Sequence, residues 1–193
     1  MVNGDATLAG TLVLQFLNGF APDLGDAFDV LEVSGAVTGA FANVQVRGLA
    51  PGADFAEDLV DGKLTLTSLS DAEALPTVSV KSKPVLKETA KFKKGLKLKF
   101  LRKGDTSQAL QVAYIVGGTA RNGFDYERIS GVIEIPARKK SAKLVLRPHR
   151  DGEPEGNERI AIEVLPGEGY TPSLFSKLEI VLEDEVPKRK RRP

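Results

Sequence analysis

Apolar and polar residues alternate in short runs along most of the chain, and Gly, Pro, Asn or Asp breaks the runs about every 10 to 15 residues. A period of two places one set of side chains on a buried face and the other in water, so the pattern predicts β-strands and almost no helix. Two groups of runs stand out. The first, from Gly10 to Leu69, predicts strands at Thr11–Phe16, Ala27–Val33, Ala40–Val46 and Lys63–Thr67. Turn chemistry separates them at Asn18–Gly19, Pro22–Gly25, Gly35, Gly39 and Pro51–Gly52.

The second group predicts strands at Thr77–Val80, Leu96–Leu101, Leu110–Val116, Gly131–Ile135, Ala142–Leu146, Ile160–Leu165 and Leu178–Leu182. Leu96, Leu98 and Phe100 point inward while Lys97 and Lys99 fall on the wet face; Leu110, Val112 and Tyr114 repeat the pattern. Seven short strands in about 110 residues suit an immunoglobulin-like β-sandwich. Between the groups, the polar stretch Ser68–Pro76 ends in proline, which favours extended chain. The expected organisation is a small β-rich segment over 1–72, an all-β, immunoglobulin-like seven-stranded sandwich over 73–187, and a basic disordered tail over 188–193.

Composition narrows the chemistry. Apolar residues make up 41% of the 193 positions, enough for a real core, and without Trp that core rests on Val, Leu, Ile and Phe. The absence of Cys removes disulfides, thiol catalysis and thiolate zinc sites. The net charge of +1 hides a division. Residues 1–75 carry two basic side chains, Arg47 and Lys63, against 11 acidic ones, a net −9; residues 76–193 carry 25 basic and 15 acidic, a net +10. No phosphate loop, dinucleotide fingerprint or H-E-x-x-H occurs. His149 is the sole histidine and no G-x-S-x-G accompanies it, so it reads as a loop residue and the protein as no enzyme. No run approaches the roughly 20 apolar residues of a membrane-spanning helix. Met1–Gly10 lacks the regions of a signal peptide, so a secreted or surface role implies a fragment of a longer exported protein.

Two stretches carry resemblances. "GTLVLQFLNGFAPDLGDAFDVLEVSGAVTGAFANVQV" looks like the closing segment of bacterial secreted β-rich proteins, such as autotransporter-like passenger regions and proteins with a C-terminal sorting signal; a generic β-meander is the plainer reading. From Pro76 to Val186 the order of motifs resembles the Calx-β family: "GGTARNGFDYERISGVIEIPARKKSAKLVLRPHRDGEPEGNERIAIEVLPGEGY" and the closing "IVLEDE" follow its running pattern. That resemblance implies a calcium-binding module of bacterial surfaces, serving adhesion, cell communication or the alignment of neighbouring modules. It also implies a ligand set: Glu88 before the second strand, Asp125 in "FDY", Asp151, Glu155 and Glu158 on the acidic loop, and Glu183, Asp184 and Glu185 in the closing run. Calcium wants six to eight oxygen ligands, which carboxylates converging from several loops supply. Arg150 and Gly152 flank Asp151 where further Asp residues are usual, and Arg138 replaces a Gly, so one or two weak sites are expected. Solvated loop carboxylates are the bland alternative.

The lysines between Lys81 and Lys103 admit a third reading, a polyanion-binding face for a partner such as surface polysaccharide, against a plain solvated face or one that guards a sheet edge. "KRKRRP" at the end is too short to imply nucleic acid, and no nucleic-acid partner is expected. A calcium-independent spacer is the remaining alternative.

Overall fold

A computed structural model describes residues 1–88, 95–150 and 155–184. The described residues form strands, turns and loops, and the chain divides into two compact units, residues 1–75 and 76–193. Among the described residues no helix is long and apolar enough to cross a membrane.

The first unit contains β1 (Ala6–Leu8), β2 (Thr11–Gln15), β3 (Ala27–Glu32), β4 (Val37–Gly39), β5 (Asn43–Arg47), β6 (Phe55–Val60) and β7 (Lys63–Ser68). Its successive strands do not form the meander that the alternation alone would allow. Instead β1 runs parallel to β4 and β2 parallel to β5. Val2 bridges Val33, Ala6 faces Val37 and Thr11 faces Asn43, so residues 2–8 lie along residues 33–39 and, after a slip of one residue, 11–15 along 43–47. Like stacks on like: the Thr7 and Thr38 hydroxyls lie 3.1 Å apart. An antiparallel sheet in the order β3-β7-β6 completes the unit. Its interior is thin, with Leu8, Val33, Leu49, Leu64 and Leu66 buried and Phe16 packed among Phe20, Phe28 and Phe55.

The second unit is an immunoglobulin-like β-sandwich. Its strands are β8 (Thr77–Lys81), β9 (Val85–Lys87), β10 (Leu96–Lys103), β11 (Leu110–Gly118), β12 (Val132–Ile135), β13 (Ser141–Leu146), β14 (Glu158–Val164), β15 (Thr171–Pro172) and β16 (Lys177–Glu183). One sheet has the order β13-β10-β8-β15, the other β12-β11-β14-β16-β9. The seven expected strands all form, and β9 and β15 are additional short parallel pairings at the edges of the two sheets. The core lies between the sheets, where Val78, Leu98, Phe100, Val112, Tyr126, Ile160, Ile162 and Ile180 are buried. At the end of the sandwich where β10 leaves and β13 begins, buried Arg102 donates to the carbonyls of Gln108 (2.8 Å) and Lys139 (2.9 Å), with longer contacts to those of Thr106 and Pro136. At the opposite end β9, β11 and β16 finish and β14 begins, which gathers the acidic segments.

Candidate metal site

The site starts from the chain leaving β11. Gly118, at φ +112°, lies so close to Arg159 that a Cβ there would run into its carbonyl oxygen. That carbonyl accepts from the amides of Thr119 and Ala120, and the Thr119 hydroxyl accepts from the Arg159 amide (2.8 Å). The following loop folds on itself: the Asn122 side chain bonds both the amide and the carbonyl of Ile129 at 3.0 Å. Residues 147–149 clasp its outside, with the Glu127 amide donating to the Arg147 carbonyl and the His149 amide to the Asp125 carbonyl. His149 Nδ1 also lies 2.6 Å from the Phe124 carbonyl oxygen, so its ring fixes this loop.

This scaffold sets the Asp125 carboxylate inside the loop with its side chain only 4% exposed. Burial alone would raise its pKa. The Arg121 amide (2.6 Å to Oδ2) and guanidinium (3.3 Å to Oδ1) outweigh burial and hold the group below the usual aspartate range. Glu155 and Glu158 approach from the segment leading into β14. One oxygen from each of Asp125, Glu155 and Glu158 lies within 4.8 Å of the other two. Glu158 responds to burial and to the Asp125 and Glu155 charges with a raised pKa, and when protonated it shares a hydrogen bond with Asp125. Tyr126, next in the chain to Asp125, is fully buried, its hydroxyl has no hydrogen-bond partner among the described residues, and burial with the charges of Asp125 and Glu158 pushes its pKa up to about 12.

The other residues picked out by the sequence fall around this trio. Asp184 Oδ2 accepts from the amides of Glu155 (2.9 Å) and Gly156 (3.1 Å), so it anchors the segment that carries Glu155. Glu183 pairs with Lys87, its register partner across β9 and β16. Glu88 follows β9, is buried, and donates its amide to the Glu183 carbonyl at 3.0 Å. Asp151 and Glu185 lie outside the described residues, as does the tail over 188–193.

The arginine across the trio is Arg121, a residue to which the loop sequence gave no special weight. Its guanidinium reaches Asp125 and lies 3.9 Å from Glu155, with its face 5.3 Å from the Phe124 ring. Arg138 stands elsewhere, in a turn at φ 61° with its amide on the Thr106 carbonyl (2.6 Å), which explains why glycine suits that position.

Two ligands of one calcium ion, each about 2.4 Å from it, can stand at most about 4.8 Å apart. The trio meets that limit. Three carboxylates leave the remaining coordination positions to backbone carbonyls and water, and Arg121 must yield part of its hold on Asp125 and Glu155 before an ion takes its place.

No family model matches the chain, and no curated protein matches it; the likeness of the first unit to secreted β-rich proteins finds no support there. Solved structures do match. The apo form of the Calx CBD1 domain shares 19% identity over 58% of this chain and 99% of its own, with a TM-score of 0.48. CBD12 from CALX1.2 and the calcium binding domain CBD12 of CALX1.1 each share 21% identity, over 56% and 55% of this chain and 44% of theirs, with TM-scores of 0.46. The likeness is one of fold.

Proposed function

We propose that the second unit is a calcium-binding β-sandwich module, a binding element with no catalytic task. The observation that carries this reading is the meeting of Asp125, Glu155 and Glu158 within 4.8 Å at one end of the sandwich. In this reading the three are direct ligands, Asp184 positions Glu155, and Asp151 joins them on sequence grounds alone. A thin acidic shell that already carries an arginine suits the weak affinities of extracellular calcium modules, about 10⁻⁴–10⁻³ M. The proposed setting is therefore a secreted or surface protein, bacterial in type, in which the ion stiffens one end of the sandwich for adhesion or for aligning neighbouring modules.

Thermal unfolding of the full chain in millimolar calcium and in EDTA tests this. At a hundredfold excess over Kd the ion adds about 2.7 kcal/mol of stability. A clear rise in Tm with calcium is expected in the wild type and is expected to vanish in Asp125→Asn and Glu155→Gln. Equal melting in both buffers sinks the reading. The contact of Arg121 with Asp125 and Glu155 favours a second reading, a calcium-independent spacer in which the guanidinium is the permanent counter-ion. The Arg121→Gln variant separates the two, since it binds calcium more tightly in the first reading and only loses stability in the second.

A further inference from the structure

The outer face of the sheet β13-β10-β8-β15 raises a question that folding does not answer. In register, Lys81 of β8 lies directly opposite Lys99 of β10, and Lys99 directly opposite Lys143 of β13. Neighbouring strands are about 4.8 Å apart, so three lysines stand in a row across roughly 10 Å. Lys97 and Lys103 extend the same face along β10. Like charges directly opposite one another destabilise a sheet. Yet β8, β10, β13 and β15 contain no Asp or Glu, and none of these five lysines has an ion pair among the described residues. The other sheet mixes the two signs, with Glu134, Glu158, Glu163, Glu179 and Glu183 on its strands beside Lys87, Arg159 and Lys177, and there Lys87 pairs with Glu183 and Lys177 with Glu163. Edge protection accounts at most for Lys143 on the edge strand β13, because Lys81 and Lys99 lie on the interior strands β8 and β10.

We propose that this face is a second binding site, independent of calcium, for a linear acidic polysaccharide. The row supplies point charges at strand spacing, which suit single carboxylate or sulfate groups repeated along a chain better than the bidentate contacts an arginine cluster would make. The residues between the lysines are Ser79, Leu101, Ser141 and Val145. They offer no aromatic platform on which bases stack and no large protruding apolar side chain to enter a bilayer. A four-stranded sheet is also broader than the two-stranded ribbon that a major groove admits.

The test uses the full chain in EDTA, which silences the calcium site, with heparin as probe and titration calorimetry at several salt concentrations as readout. Heparin binding that weakens steeply with salt is expected, and at least a tenfold loss in the triple variant Lys81→Gln/Lys99→Gln/Lys143→Gln. That variant is expected to melt at the wild-type temperature or above, since it relieves repulsion, which separates lost binding from lost folding. A control removing the same charge elsewhere, Lys139→Gln/Lys140→Gln/Lys177→Gln, is expected to bind nearly as wild type. Undiminished binding by the first variant overturns the proposal, as does an equal loss in both, which reduces the effect to net charge. Tighter binding of single-stranded DNA or of phosphatidylserine vesicles than of heparin overturns the choice of ligand.

Discussion

Glu158 is the residue through which pH reaches the proposed calcium site. Its raised pKa means that the folded state holds its proton more tightly than the unfolded chain does. Without metal, the stability this proton contributes is present at low pH and is lost as pH rises through a window above the ordinary glutamate value. Asp125, with its lowered pKa, acts in the opposite sense, contributing stability that is lost only as pH falls below the ordinary aspartate value. The expected outcome is a Tm in EDTA that declines with rising pH across the glutamate window, a decline absent from Glu158→Gln. Calcium competes with the same proton, so its affinity is expected to rise over that window, as titrations at stepped pH would record. Two further residues make their own cases. Arg138 occupies a left-handed conformation that costs a non-glycine residue about 1 kcal/mol, and Arg138→Gly is expected to recover most of it in denaturant unfolding. Arg102→Met removes charged donors from the carbonyls of Gln108 and Lys139, and a loss of about 2 kcal/mol is expected in the same measurement.

At the scale of elements, the seven main strands of the sandwich were legible because each is an apolar-rich run of four residues or more, with alternation clearest in Leu96–Lys103. β9 and β15 were not, because three residues and two are too few for any period to register, and both exist only through parallel pairing to a neighbour. The first unit hid more. Val2–Thr7 reads V-N-G-D-A-T and Val33–Thr38 reads V-S-G-A-V-T, a short repeat that alternation of period two does not register, since that period describes one strand and not its partner. The structure pairs those copies side by side in parallel. The site followed the same division. Motif order puts Asp125, Glu155 and Glu158 in one wider set with Glu88, Asp151, Glu183, Asp184 and Glu185 without singling out the trio, and the placing of Arg121 depends on a loop closing on itself four residues later. Gly118→Ala probes the joint between strand and site. Its Cβ collides with the Arg159 carbonyl, so the variant is expected to unfold at lower denaturant and to lose the calcium response together.

Across the whole molecule, the two units differ in how they are held. The sandwich buries a continuous set of Val, Leu, Ile and Phe side chains with Tyr126 among them, while the first unit buries few large side chains and leans on backbone pairing between parallel strands. Calorimetry of the intact chain is accordingly expected to resolve the sandwich as the transition of larger enthalpy, and the one that moves when calcium is added. Within the sandwich the charges are also unevenly placed: the strands of one sheet carry basic residues and no acidic ones, while those of the other carry both.

The parallel pairing of β9 with β16 has a mechanical consequence. Val85 lies beside Val181 and Lys87 beside Glu183, so the early strand and the last strand of the sandwich point the same way. A load applied along the chain therefore pulls these neighbours past one another, and their hydrogen bonds resist together instead of opening one at a time like a zip. The Lys87–Glu183 ion pair and the carboxylates of Asp125, Glu155 and Glu158 sit at the end where that load leaves the sandwich. Any ion bound there would tie the loops together at the end of the sandwich where β16 finishes.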